Sequence, residues 1–226
     1  MYKSVLITRD QESALHTANM LLAKGYGVVL NPLISIVYCD LEIVEKNQSD
    51  YMLITSFNAA KRVPDVYKDL SGIKLITVGE KSAEYLKSIG VEVIYTAADA
   101  EDLMNDIVNV VQDNASIDFL CGDHIASDLD VKLSNKGFQI NKMIVYKSIA
   151  AATFNMSILK RIDTVLFYSP RTATIFAELI GEAKHYLQYI DCICISQNVA
   201  QKIQEIGFKS VRVADGPTED ELIKCV

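Results

Sequence analysis

Small polar residues recur in this chain directly after short apolar runs. Val5-Leu-Ile is followed by Thr8-Arg9, Leu53-Ile by Thr55-Ser56, Leu75-Ile-Thr-Val by Gly79, and Phe119-Leu-Cys by Gly122-Asp123; Ser169 and Ser196 close two later runs. In an open parallel sheet such positions lie at the carboxyl ends of strands, where the next helix presents free backbone N–H groups. Hydroxyls, amides and a few cations gathered there suit an anionic ligand, above all one with many carboxylates. Taken singly, each serine or threonine reads first as an ordinary helix N-cap. The series of junctions carries more information than any member.

Other chemistries find little support. Ser56 and Ser169 lack the G-x-S-x-G elbow of a nucleophilic serine. The five cysteines (Cys39, Cys121, Cys192, Cys194 and Cys225) include no C-x-x-C pair, and His16, His124 and His185 have no zinc spacing. Cys192 and Cys194 sit two apart in an apolar run, so a strand turns both thiols to one face, where they read as reduced, packed side chains. Gly25-Tyr-Gly27 is half of a dinucleotide fingerprint, but it follows a helix and lacks the third glycine. Neither a metal nor a cofactor is expected. A formal net charge of −7 over 226 residues argues against nucleic acid, which requires a basic face. No apolar run approaches the ~18 residues of a membrane span. Charge at Arg9 and Asp10 interrupts any signal-peptide core, so a cytoplasmic location is expected.

The elements that must hold these junctions alternate in kind. Strands are predicted at residues 3–8, 28–30, 51–55, 74–78, 91–95, 117–121, 140–146, 164–168, 192–195 and 210–213. Helices of ten to fifteen residues are predicted between them. The first should bury Leu15, Ala18, Leu21 and Leu22. A later one, over 101–111, should bury Leu103, Ile107, Val110 and Val111 behind an N-cap at Asp99. This is an α/β pattern of parallel sheets flanked by helices.

The chain also repeats itself. Residues 73–95 align without gaps on 190–212, matching Ile73 to Ile190, Ile89 to Ile206 and Gly90 to Gly207. Leu53-Ile-Thr-Ser-Phe-Asn-Ala-Ala mirrors Leu166-Phe-Tyr-Ser-Pro-Arg-Thr-Ala, which pairs Ser56 with Ser169. Leu6-Ile-Thr-Arg-Asp mirrors Leu120-Cys-Gly-Asp, and Lys24-Gly-Tyr mirrors Lys136-Gly-Phe. Two related α/β units follow, and taken alone the repeat suggests two consecutive halves.

In order, these motifs resemble the uroporphyrinogen-III synthase family from end to end. The resemblance runs through Val5-Leu-Ile-Thr8-Arg9, Gly25 and Asn31-Pro32-Leu33; Leu53-Ile-Thr55-Ser56-Phe-Asn58-Ala59; Val78-Gly79 and Gly90-Val91; Phe119-Leu-Cys-Gly122, Gly137 and Val145-Tyr146-Lys147; Phe167-Tyr168-Ser169-Pro170, with one residue inserted; and Pro217-Thr218. The chain departs from the family pattern at Ser82, where threonine is common, and at Ser196, where glycine is usual.

The resemblance implies a different partition from the repeat. One domain takes about 1–35 and 150–226, and the other takes 37–145. Two crossing strands near 33–38 and 142–150 join them, with a cleft between the domains. It further implies a cofactor-free, monomeric lyase acting on hydroxymethylbilane, a linear chain of four pyrroles with eight carboxylates. Loss of the terminal hydroxyl as water and closure with inversion of the last ring give uroporphyrinogen III. Tyr146 is then the expected catalytic residue, assisting departure of the hydroxyl. The expected substrate-binding set is Thr8, Arg9, Ser56, Gly79, Ser82, Gly122, Ser169, Arg171 and Ser196, and Lys81 could add charge-assisted contacts. A non-catalytic bilobal protein that binds a small polyanion is the alternative reading.

Overall fold

A computed structural model describes residues 3–46, 48–125 and 128–226. In chain order the strands and helices are β1 (Ser4–Ile7), α1 (Gln11–Ala23), β2 (Gly27–Leu30), β3 (Ile34–Tyr38), β4 (Val44–Lys46), β5 (Tyr51–Ile54), α2 (Phe57–Ala60), α3 (Val63–Val66), β6 (Tyr67–Asp69), β7 (Lys74–Val78), α4 (Glu80–Ser88), β8 (Glu92–Ala97) and α5 (Ala100–Val110). They continue with β9 (Ser116–Gly122), α6 (Leu129–Asn135), β10 (Gln139–Ala150), β11 (Thr164–Phe167), α7 (Pro170–Leu179), β12 (Asp191–Cys194), α8 (Gln197–Ala200), β13 (Ser210–Val213) and α9 (Glu219–Lys224). Residues Met156–Lys160 and Gly181–Tyr189 form 3₁₀ turns.

The chain divides into two compact units, Met1–Ser35 with Ile149–Val226, and Ile36–Ser148. In the first, a five-stranded sheet runs β13-β12-β11-β1-β2. Each neighbouring pair is parallel. The second holds a six-stranded sheet in the order β3-β10-β9-β5-β7-β8. Its pairs from β10 through β8 are parallel. At its edge, Cys39 N–H donates to Val145 O (3.1 Å) and Ala151 N–H to Leu33 O (2.9 Å), so β3 runs antiparallel to β10.

Burial explains why these segments are strands. Every residue of β5 and β11 is buried, as is all of β9 after Ser116. Continuous burial is what a parallel strand covered on both faces requires. Side chains alternate between the faces. Val165, Phe167, Cys192 and Cys194 join one cluster of the first unit, and Leu166 and Ile193 join the other. The two thiols do share a face, with Sγ atoms 3.6 Å apart.

The internal repeat is visible in the sheets. Pairing β8 with β13, β7 with β12, β5 with β11, β9 with β1 and β10 with β2 reproduces one strand order in both. The matched residues Gly90 and Gly207 both adopt positive φ, 84° and 101°, a conformation that glycine takes without strain.

Several expectations need correction. Helix α1 buries Ala14, Thr17, Ala18 and Leu21, whereas Leu15 and Leu22 are 50% and 56% exposed. The face is rotated because Thr17 packs as a core residue there. After α8 the chain continues in tight turns, with Ile203 N–H bonded to Ala200 O three residues back. The matching helix in the other unit, α4, continues to Ser88. The β4–β6 pair was not expected, since two three-residue strands carry no readable period.

A polar contact beneath the second sheet anchors that pair. Asp118 on β9 is buried and accepts hydrogen bonds from Ser49 Oγ (2.7 Å), Asn141 Nδ2 (2.8 Å) and the Tyr67 hydroxyl on β6. Burial and then Asp118 push the Tyr67 pKa well above its ordinary range, which keeps the phenol a donor. We predict that Tyr67→Phe, which leaves a buried carboxylate short of one donor, destabilises the protein by about 1–3 kcal/mol. A lowered midpoint of urea unfolding checks this.

Candidate active site

In the second unit, the carboxyl ends of β5, β7 and β9, with Tyr146 from within β10, surround a cavity of about 240 Å³. Thr55, Ser56, Cys121, Gly122, His124 and Tyr146 are among its lining residues.

Three local features aim Tyr146 into it. The first is a bulge: β10 pairs Ile144 with Cys121 but Tyr146 with Gly122, so Val145 is the extra residue. Such an insertion breaks the alternation and redirects the following side chain. Val145 itself is buried in the core. The second feature is Asp123, which grips the strand on both sides of Lys147. Its N–H donates to Tyr146 O (3.1 Å), and its Oδ1 accepts from Ser148 N–H (2.9 Å). The third is the missing side chain at Gly122. A Cβ there would lie 2.6 Å from Tyr146 Cζ and 2.8 Å from its hydroxyl oxygen.

The Tyr146 hydroxyl donates to Ser56 Oγ at 2.9 Å. Ser56 is also the N-cap of α2, accepting from Asn58 N–H at 3.2 Å. Burial raises the Tyr146 pKa above its ordinary 10.0, against a smaller lowering by the Ser56 hydrogen bond. At neutral pH the group is a phenol, able to donate a proton or a hydrogen bond. Cys121 offers no competing nucleophile, because burial pushes its thiol up to about 11. His124 stands at the rim with Nε2 3.8 Å from Asp123 Oδ2.

Of the other expected residues in this unit, Gly79 makes the turn from β7 into α4 with φ 85°, and Ser82 is buried within α4. Lys81 lies in the first turn of α4 with Nζ 4.3 Å from the Phe57 ring centroid.

The first unit uses its junctions differently. The Thr8 hydroxyl is fully buried and donates to Leu166 O (2.9 Å), tying β1 to β11. Arg9 stacks on Tyr168 at 4.0 Å, and its Nη1 donates to Glu219 Oε1 (2.9 Å) and Thr17 Oγ1 (3.3 Å). Tyr168 donates to the same Glu219 oxygen at 3.2 Å, and burial raises its pKa. The guanidinium of Arg9 is therefore engaged with an internal carboxylate. Ser169 caps α7 through Thr172 N–H (3.2 Å), and Arg171 is half-buried in that helix's first turn. Ser196 precedes α8 without a side-chain cap.

Thus Tyr146, Ser56 and Gly122 come together around one cavity. Thr8, Arg9, Ser169, Arg171 and Ser196 belong to the other unit. Sequence reasoning did not single out His124, Tyr168 or Glu219 as parts of these clusters. Tyr168 left one trace, as the residue inserted into the Phe-Ser-Pro motif.

A family model described as uroporphyrinogen-III synthase HemD matches residues 16–224. The chain belongs to the uroporphyrinogen-III synthase family. Its fold resembles that of the uroporphyrinogen-III synthetase from Helicobacter pylori, with 20% identity over 100% of this chain and 98% of that one and a TM-score of 0.65. It also resembles a mutant uroporphyrinogen III synthase from the extremely thermophilic bacterium Thermus thermophilus, with 13% identity over 99% and 96% of the two chains and a TM-score of 0.64. At these identities the structural likeness establishes the two-unit α/β fold. No curated protein matches the chain. Uroporphyrinogen-III synthases are the cyclising lyases of heme biosynthesis.

Gly122 supplies the sharpest test of the site's geometry. Gly122→Ala should displace the Tyr146 ring, break the bond to Ser56 and lower turnover on the order of 10²-fold, as small misplacements of catalytic groups do. The far-ultraviolet circular dichroism should be unchanged. Full activity in this variant would mean that the position of Tyr146 does not matter.

Proposed function

We propose that this chain converts hydroxymethylbilane to uroporphyrinogen III, closing the tetrapyrrole with inversion of its last ring and release of water. The observation that carries the reading is the Tyr146 phenol, held at the cavity by a bulge, by the space above Gly122 and by one hydrogen bond to Ser56.

The chemistry asks little more of the protein. Loss of the terminal hydroxyl as water produces an electrophilic azafulvene. Attack by the substituted carbon of the last ring forms a spiro intermediate, and fragmentation with re-closure inverts that ring. The substrate's own pyrroles supply the electrons. Tyr146 exchanges its bond to Ser56 for one to the departing hydroxyl and assists its protonation. The second task is to hold one conformation of a flexible chain, since closure without guidance gives the symmetric isomer. Backbone N–H groups at the helix starts after β5 and β7, in the same unit as the cavity, suit the carboxylates for this purpose. The cavity is smaller than the ~300–1,000 Å³ of a site that encloses a whole drug-sized ligand, so it fits one portion of the tetrapyrrole. Ser56, Gly79, Gly122, Ser169, Arg171 and Ser196 remain candidate contacts in this reading; Thr8 and Arg9 act by bracing the strand ends. The protein works as a cytoplasmic monomer with neither metal nor cofactor.

Freshly prepared hydroxymethylbilane added to the purified protein should yield mainly isomer III. Only isomer I, at the protein-free rate, would overturn the assignment and favour a polyanion-binding role. Tyr146→Phe should lower turnover by about a hundredfold while the protein stays folded, the lower end of the range for a positioned acid. The raised pKa has a further consequence: Tyr146 has its titration midpoint above 10.0, so its ionisation causes no loss of turnover through neutral and mildly alkaline pH. An alkaline decline centred well below that value, present in the wild type and absent from Tyr146→Phe, would contradict this.

A further inference from the structure

The Tyr146 cavity has two kinds of wall. Val78 at the end of β7, Ala100 opening α5, Leu129 opening α6 and Ile125 give it an apolar side. Opposite in character are the Tyr146 hydroxyl and, at the rim, His124. His124 is the only basic side chain among the described residues that line the cavity.

The chain delivers His124 there from a fixed point. It follows Asp123, whose N–H bonds to Tyr146 O (3.1 Å) and whose Oδ1 bonds to Ser148 N–H (2.9 Å). The imidazole itself is held only loosely. Its Nε2 lies 3.8 Å from Asp123 Oδ2, beyond hydrogen-bond distance. Among the described residues neither ring nitrogen has a hydrogen-bond partner, and the side chain is 56% exposed. The ring can therefore turn toward a ligand without giving up a hydrogen bond. Asp123 is not among the residues that line the cavity.

Tyr146 acts on the departing hydroxyl, so the pyrrole that bears this group is the one that enters the cavity. The apolar side suits the face of such a ring. Its carboxylate arms lose water on entry, a cost offset only where N–H or O–H donors replace it. Histidine supplies one N–H when neutral and two when protonated. We propose that His124 receives a carboxylate arm of the hydroxymethyl-bearing ring and so holds that ring with its departing hydroxyl at Tyr146. The inference rests on the proposed function and adds the residue that reads the carboxylates of this ring.

The test crosses a variant with a substrate analogue. His124→Phe keeps a ring and removes the N–H donors. It should raise KM for hydroxymethylbilane about tenfold and change kcat less than about twofold, as loss of a contact made equally in ground and transition states does. His124→Asn, which keeps a side-chain N–H donor, should restore most of the difference. A bilane with alkyl groups in place of both carboxylate arms on its hydroxymethyl ring should show a raised KM with the wild type and no further rise with His124→Phe. A folded His124→Phe with the wild-type KM, or one that raises KM by the same factor for both bilanes, overturns the proposal. Independently of turnover, an octacarboxylate porphyrin titrated by fluorescence should bind His124→Phe about tenfold more weakly than the wild type. Wild-type protein that makes no isomer III defeats the functional reading instead, and the porphyrin titration still decides whether His124 holds a carboxylate.

Discussion

The parallel pairing of β5 with β9, and of β1 with β11, is the constraint on which the rest of this structure depends. Along the chain the duplicated segments run as β1–β2, then β5–β7–β8, then β9–β10, then β11–β12–β13. Each sheet, however, joins a pair from one copy to a trio from the other. The register Ile54 to Leu120 brings Thr55 and Ser56 level with Cys121 and Gly122 at the strand ends. Only because β10 lies on the far side of β9 can a bulge at Val145 carry Tyr146 over Gly122 to Ser56. A consecutive-halves arrangement would place β5 and β9 in different sheets and would abolish the site.

The duplicated scaffold carries two unlike sets of polar contacts. Ser56 and its match Ser169 both cap helices, but Ser56 also receives the Tyr146 phenol, whereas Ser169 exchanges hydrogen bonds with Thr172. Carrying the Gly25–Gly137 match forward places Ile34 opposite Tyr146, so the phenol exists in one copy only. In the first unit the cation at the strand end, Arg9, is engaged by Glu219, an acid from the last helix. A neutral hydrogen bond contributes only about 1 kcal/mol net. Tyr146 can therefore leave Ser56 for a ligand at little cost, while Arg9 has a charged partner to give up. Chemistry is better placed at the exchangeable contact than at the committed one.

How much was legible in the sequence follows from the range of each interaction. Strands such as β5, β9 and β11 were readable because full burial requires an unbroken apolar run, and the cap at Asp99 because the N–H groups it accepts from lie within three residues. Junction residues such as Ser56 and Gly122 could be located, but their roles could not be separated. Whether a serine only caps a helix or also meets a phenol depends on a residue 90 positions away. Arg9 drew attention as a cation beside a strand end, yet its partner Glu219 lies 210 residues further on, brought there by sheet order. The phase of α1 is hidden for a related reason: Thr17 is polar by type but buried by its contacts with Arg9 and Glu219. Nothing local announces a bulge either, since Val145 and Tyr146 both fit an ordinary strand.

These contacts also limit the catalytic power the protein brings. A half-buried phenol with a raised pKa is a weak acid at neutral pH, and the nearby Cys121 thiol is protonated and inert. Such a site cannot force a difficult proton transfer, and it does not need to when the substrate generates its own electrophile. What distinguishes one product from the other is which carbon of the last ring reaches that electrophile. That is a question of conformation, and a conformation is selected by contacts held in fixed places. The bulge, the glycine and the grip of Asp123 across Lys147 are devices for fixing position, as are the capped helix starts. A scaffold rich in positional constraints and poor in reactive groups is what a reaction needs when its hazard is the wrong geometry.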